Sequence, residues 1–121
     1  VSRIVIDSIT SFALLFEDEL SKREAALDLF NMIKRWNCTS FLTVEEEPQE
    51  DEKTGTSKSL EFESDSIILL YFIRQSGERK RLIEVLKMRG TNHSRKMYEF
   101  IICDKGVSVS KKPLASKIKV E

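Results

Sequence analysis

The sequence predicts an α/β fold in which a parallel pair of strands is continued by an antiparallel hairpin extension. Three observations carry this. A strand, helix, strand pattern runs from Arg3 to Val44, the order of a right-handed crossover unit and therefore of a parallel pair. From Ser66 onward, apolar runs are separated by turn signals such as Gln75-Ser76-Gly77-Glu78, which join antiparallel neighbours. Between the two regions the composition changes abruptly, with six acids in the eight residues from Glu45 to Glu52.

The elements follow in order. Ile4-Val5-Ile6 is a β-branched run ending at Asp7-Ser8, as a buried parallel strand with a polar tip reads. Phe12 to Phe16 is apolar and suits a loop or short helix over the sheet. Ser21-Lys22-Arg23-Glu24 fits a capping box and predicts a helix start there. Ala26, Leu29, Phe30, Ile33 and Trp36 or Asn37 recur at helical spacing, with Lys22, Asp28, Lys34 and Arg35 mostly turned outward, and the helix is expected to end near Asn37. Thr39 to Val44 is a second buried strand.

Glu45 to Ser59, with Pro48 and Gly55, reads as a mobile acidic surface loop. Leu60-Glu61-Phe62 suits a single helical turn. Ser66 to Ile73 and the basic run from Arg79 form a hairpin. Met97 to Cys103 alternates Tyr98, Phe100 and Ile102 against Glu99 and Ile101, and Asp104-Lys105-Gly106 turns the chain so that Val107-Ser108-Val109 pairs back. The residues from Lys111 are basic and contain Pro113, so they read as a linker or frayed end.

Bulk properties exclude several classes. Twenty basic and twenty acidic residues give zero net charge, so no global field draws the chain to nucleic acid or membrane. The longest apolar runs, such as Ile67 to Ile73, are too short to span a bilayer. No secretion signal is visible at the N-terminus, and Cys38 and Cys103 stand singly and read as small buried thiols. The chain is expected to be soluble, reduced and cytoplasmic. It opens on Val1 inside a strand-like run, which suggests a beginning partway through a larger fold.

Lys87-Met88-Arg89-Gly90-Thr91-Asn92-His93 holds the densest chemistry. Alternation puts Ile83, Val85, Lys87 and Arg89 on one face, with the two cations roughly 6–7 Å apart. Gly90 then permits a sharp turn. Such a segment is either a phosphate contact or an exposed basic strand end.

With these motifs placed, the chain resembles the C-terminal half of a RecA-like P-loop ATPase core, most closely the KaiC/RadA-type branch found in archaea and cyanobacteria. Arg3-Ile4-Val5-Ile6-Asp7-Ser8 looks like its Walker B strand, and Leu42-Thr43-Val44-Glu45 resembles the following strand, which ends in Thr-x-Glu. Glu61 to Asp65 before Ile67-Ile68-Leu69-Leu70, and Tyr98, Phe100 and Asp104-Lys105-Gly106, fall at family spacing. The run from Lys87 matches the family pattern Lys-x-Arg-Gly-Thr-x-His. The resemblance implies a partial ATPase domain over residues 1–110 and a basic tail over 111–121.

It also implies a nucleotide site at the seam between subunits of a ring, commonly a hexamer. Asp7 would hold Mg²⁺ through water. Lys87 and Arg89 would contact the phosphates of an ATP held by a neighbouring subunit, because cations stabilise the charge that develops in phosphoryl transfer. Thr91, His93, Cys103 and Asp104 would line the nucleoside end, with Met88 contributing backbone. Family members often carry threonine where Cys103 stands. The Walker A loop and the paired catalytic glutamates lie upstream of Walker B in the family and have no counterpart here. By the same resemblance the chain alone neither binds ATP tightly nor hydrolyses it. Glu45 and Glu46 are either a solvated strand end or a coupling element.

Two roles fit these features. One is the C-terminal portion of a KaiC-like, ring-forming ATPase; the other is a non-catalytic module that caps or regulates an intact one. The expected partners are copies of the chain or KaiC-like subunits, since exposed parallel strands need cover. Nucleic acid is not an expected partner, because the acidic loop repels phosphate.

Overall fold

The computed structural model describes residues 2–45 and 63–114. Most of the expected acidic loop, the turn expected over Leu60-Glu61-Phe62 and the end of the basic tail lie outside the described residues. The chain divides into two units, Val1–Ser64 and Asp65–Glu121.

The first unit contains β1 (Arg3–Ile6), α1 (Ile9–Ala13), α2 (Glu19–Trp36) and β2 (Thr39–Leu42). β1 and β2 pair in parallel, Arg3 opposite Thr39 through Ile6 opposite Leu42, as the strand, helix, strand order requires. α2 begins earlier than the Ser21 capping box predicts. Its N-cap is Asp18, whose carboxylate accepts from the Ser21 amide at 2.7 Å and from the Ser21 hydroxyl at 3.0 Å. Asp and Ser are comparable N-caps, and here Ser21 occupies the third helical position and serves as the donor. These bonds, the backbone one first, hold the Asp18 carboxyl below the usual aspartate range.

Helical spacing places Ala26, Phe30 and Ile33 on the buried face of α2. Phe30 and Ile9 are buried together, with Ile6, Leu29 and Leu42 packed against them. Trp36, expected on that stripe, is 50% exposed, because the helix stops at the next residue. Asn37 takes a left-handed conformation (φ 49°, ψ 49°) and donates its amide to the Lys34 carbonyl, a termination that asparagine tolerates well.

The second unit is a four-stranded antiparallel sheet in the order β3 (Ser66–Gln75), β4 (Glu78–Met88), β5 (Tyr98–Cys103), β6 (Gly106–Pro113). Ser76 and Gly77 connect β3 to β4 with φ of 52° and 80°, the two positive values that a tight hairpin loop demands. Ile73 and Leu82 are its most buried residues, at 2% and 0% exposure. β6 continues through Lys111 and Lys112, with Pro113 opposite Tyr98, and the Leu114 amide donates to the Met97 carbonyl at 2.8 Å. The strand thus runs beyond residue 110, where the linker was expected to begin. Proline is tolerated there because β6 is an edge strand.

Candidate functional site

Asp7 follows the last residue of β1, and Thr43 the last residue of β2. Backbone bonds lock the two strand ends: the Thr43 amide donates to the Ile6 carbonyl at 3.0 Å, and the Ile9 amide to the Thr43 carbonyl at 2.8 Å. The Thr43 hydroxyl therefore lies beside Asp7 and donates to its carboxylate at 2.6 Å. Thr10 fixes the next turn of chain, its hydroxyl accepting from the Glu45 amide at 2.8 Å. Asp7 is exposed and stands at the carboxyl end of a parallel pair, where open α/β sheets bind ligands.

A divalent cation fits Asp7 only as one oxygen ligand among several. Among the described residues no group of three or more His, Cys, Asp or Glu side chains is arranged to hold a metal. Mg²⁺ suits such a place, because it retains most of its waters and takes few protein carboxylates. Glu45 is exposed with its backbone anchored by Thr10; Glu46 lies outside the described residues.

The cationic segment is organised by the end of the β3–β4 hairpin. The register shifts there: Ile67 faces Lys87 but Ile68 faces Val85, leaving Leu86 as the extra residue of a bulge. The expected single face is corrected by this shift. Ile83 and Val85 share a face with Ile68 and Leu70, whereas Lys87 lies on the face of Ile67, Leu69 and Glu84. One inserted residue reverses the alternation beyond it.

Past the bulge the chain turns at once. The Thr91 amide donates to the Met88 carbonyl at 3.2 Å, closing a β-turn with Arg89 and Gly90 at its centre. Gly90 has φ +73°, the value that the third position of a type II turn requires. Arg89 is held twice by the residue before β3. Its amide donates to the Asp65 carbonyl at 2.8 Å, and its guanidinium meets the Asp65 carboxylate at 2.9 Å. Thr91 is exposed and His93 half-buried, with His93 Nδ1 2.9 Å from the Ser94 carbonyl oxygen. The sequence motif thus gathers Lys87, Met88, Arg89, Thr91 and His93 at one end of the sheet.

Cys103 and Asp104 are not brought to that end. β4 and β5 pair with Ile83 opposite Tyr98 and Arg81 opposite Phe100, so β5 runs back toward the start of β4 before it reaches Cys103. Cys103 and Asp104 thus sit at the turn between β5 and β6, a different turn from that of Met88 to Thr91. Cys103 is also exposed and Cys38 half-buried, both as free thiols, in place of the buried thiols expected.

Sequence reading missed Thr43 and Asp65 as partners of Asp7 and Arg89. Both signals are present only as a polar residue at a strand boundary.

Comparison with known proteins bears on the whole described chain. The family model "ATPase: KaiC" matches residues 1–113. The circadian clock oscillator protein KaiC of Synechococcus elongatus is 31% identical over 109 residues, covering 88% of this chain and 20% of that protein. A UPF0273 protein of Pyrococcus furiosus is 35% identical over 107 residues, covering 88% of this chain and 42% of the relative. The crystal structure of a KaiC-like protein from the hyperthermophilic archaeon Pyrococcus horikoshii superposes with a TM-score of 0.76 at 35% identity, over 91% of this chain and 47% of that one. The chain thus spans between a fifth and about half of the length of these relatives.

Proposed function

The chain belongs to the KaiC family of ATPases, and on that premise we propose that it is the C-terminal portion of a ring-forming, KaiC-like ATPase. Its β1 acts as the Walker B strand, and its cations act in trans. In this reading Asp7 takes part in the surroundings of a water-coordinated Mg²⁺, oriented by the Thr43 hydroxyl. Bound Mg²⁺ would neutralise phosphate charge. Lys87 and Arg89 reach the phosphates of an ATP whose Walker A loop belongs to another subunit or to another part of a longer protein. Thr91, His93 and the Met88 backbone stand beside the nucleotide. Cys103 and Asp104, at the β5–β6 turn, are assigned to the nucleoside end on the family resemblance alone.

The observation that carries the proposal is the turn at Met88 to Thr91. It sets the Arg89 backbone at the open end of the β3–β4 hairpin, two residues from Lys87, with a glycine where a side chain would be strained. Cations placed at the phosphates stabilise the charge that develops in phosphoryl transfer. The unpaired thiols fit a reducing, cytoplasmic setting.

Association with a Walker A-bearing KaiC-like subunit tests this. Sedimentation with Mg²⁺ and ATP is expected to show a complex that Lys87→Ala and Arg89→Ala each weaken by about tenfold or more, the scale of losing one charge-assisted contact. Equal association by both variants would remove the trans role.

A further inference from the structure

The geometry points to Asp65 as the counter-ion that occupies Arg89 until a phosphate displaces it. This rests on the proposed phosphate role of Arg89 and adds to it a residue that sets how strongly that arginine binds an anion. The pairing has two parts with different consequences. The backbone bond from the Arg89 amide to the Asp65 carbonyl, 2.8 Å, extends the β3–β4 ladder by one pair beyond Ser66 and Met88. It holds the turn whatever the side chain at position 65. The side-chain contact is a single one, Nη1 to Oδ1 at 2.9 Å, where a bidentate pair would engage two guanidinium nitrogens.

Both side chains are largely in water, Arg89 at 61% and Asp65 at 81% exposure. Exposed ion pairs of this sort contribute little to stability, so the carboxylate is dispensable for folding. It is not neutral for anion binding. It offsets one of the two cations of the motif and stands within a few ångströms of any phosphate that Arg89 would hold. A polyanion must therefore draw the guanidinium from Asp65 or share it against a like charge. Because the site is wet, the opposition is modest and falls with salt.

The test uses the 121-residue chain and inorganic tripolyphosphate at low salt, followed by amide and arginine side-chain NMR signals. Asp65→Asn keeps the backbone bond and the size of the side chain while removing the charge. It is expected to bind tripolyphosphate about threefold to tenfold more tightly than the unaltered chain, with the gain shrinking as salt is raised. Asp65→Ser should give the same gain. The Arg89 side-chain signal should move in both variants before any anion is added.

Arg89→Ala serves as the reference for the underlying reading. If it loses tripolyphosphate binding while Asp65→Asn binds equally or more weakly than the unaltered chain, the counter-ion role is overturned and the phosphate role stands. If Arg89→Ala binds as well as the unaltered chain, the phosphate role fails and the counter-ion role fails with it.

Discussion

The two proposed contact regions, one in each unit of the chain, are held by different means. Asp7 stands where two parallel strands end, and backbone bonds from Thr43 and Ile9 interlock those ends above a core of Ile9 and Phe30. Lys87 and Arg89 stand at the end of a long antiparallel hairpin, beyond a bulge, and are positioned by a turn and by an exposed ion pair. The first arrangement fixes a carboxylate. The second leaves a guanidinium in water on a fixed backbone, able to exchange one anionic partner for another. In the proposed roles, a metal-side Asp7 gains from a fixed frame, whereas an Arg89 that meets another polypeptide's phosphate gains from reach.

Core substitutions break this contrast most severely. Phe30→Ala should cost about 3–5 kcal/mol and Leu82→Ala about 2–5 kcal/mol, read from denaturant midpoints. Hydrogen exchange should show lost protection around β1 and β2 for the first and around β3 and β4 for the second. Gly90→Ala sharpens the comparison at the turn. No atom lies within 4 Å of an added Cβ, so the cost is conformational alone, about 1–2 kcal/mol for a left-handed alanine. It should weaken tripolyphosphate binding while leaving the Asp7 end unchanged. Thr43→Val removes the hydroxyl that orients Asp7 and should cost about 1 kcal/mol, with amide shifts confined to the ends of β1 and β2.

The smallest effect concerns pH. Asp18 has a lowered pKa in the folded chain, chiefly through the Ser21 amide and then its hydroxyl. A carboxyl of this kind stabilises the fold above its unfolded value, 3.8, and that contribution is lost as pH falls through the lower folded value. Asp18→Asn should therefore melt below the unaltered chain at neutral pH, and the gap should close in strong acid. Thermal melts by circular dichroism across that range check the sign.

Local chemistry made much of the fold legible. The β-branched run at Ile4 to Ile6, the stripe through Ala26, Phe30 and Ile33, the stop at Asn37 and the Ser76-Gly77 loop each follow from residue types acting within a few positions. The misreadings arose where the deciding partner is remote or where two residues compete for one role. Alternation alone cannot reveal that Leu86 is inserted against Ile67 and Ile68, and so it put Lys87 on the wrong face. Asp18 and Ser21 both suit an N-cap, and only the folded helix distinguishes acceptor from donor. The motif from Lys87 to His93 was visible as a string, yet the pairing of Arg89 with Asp65, twenty-four residues away, depends on hairpin register.

The central claim, that these cations serve a nucleotide held elsewhere, is tested most directly by ATP turnover in a mixture. The chain should show no turnover alone. Added to a KaiC-like subunit that carries Walker A but lacks its own Lys-x-Arg pair, it should restore hydrolysis, and the Arg89→Ala chain should restore little or none. Hydrolysis by the chain alone, or equal restoration by the Arg89→Ala chain, would contradict the account.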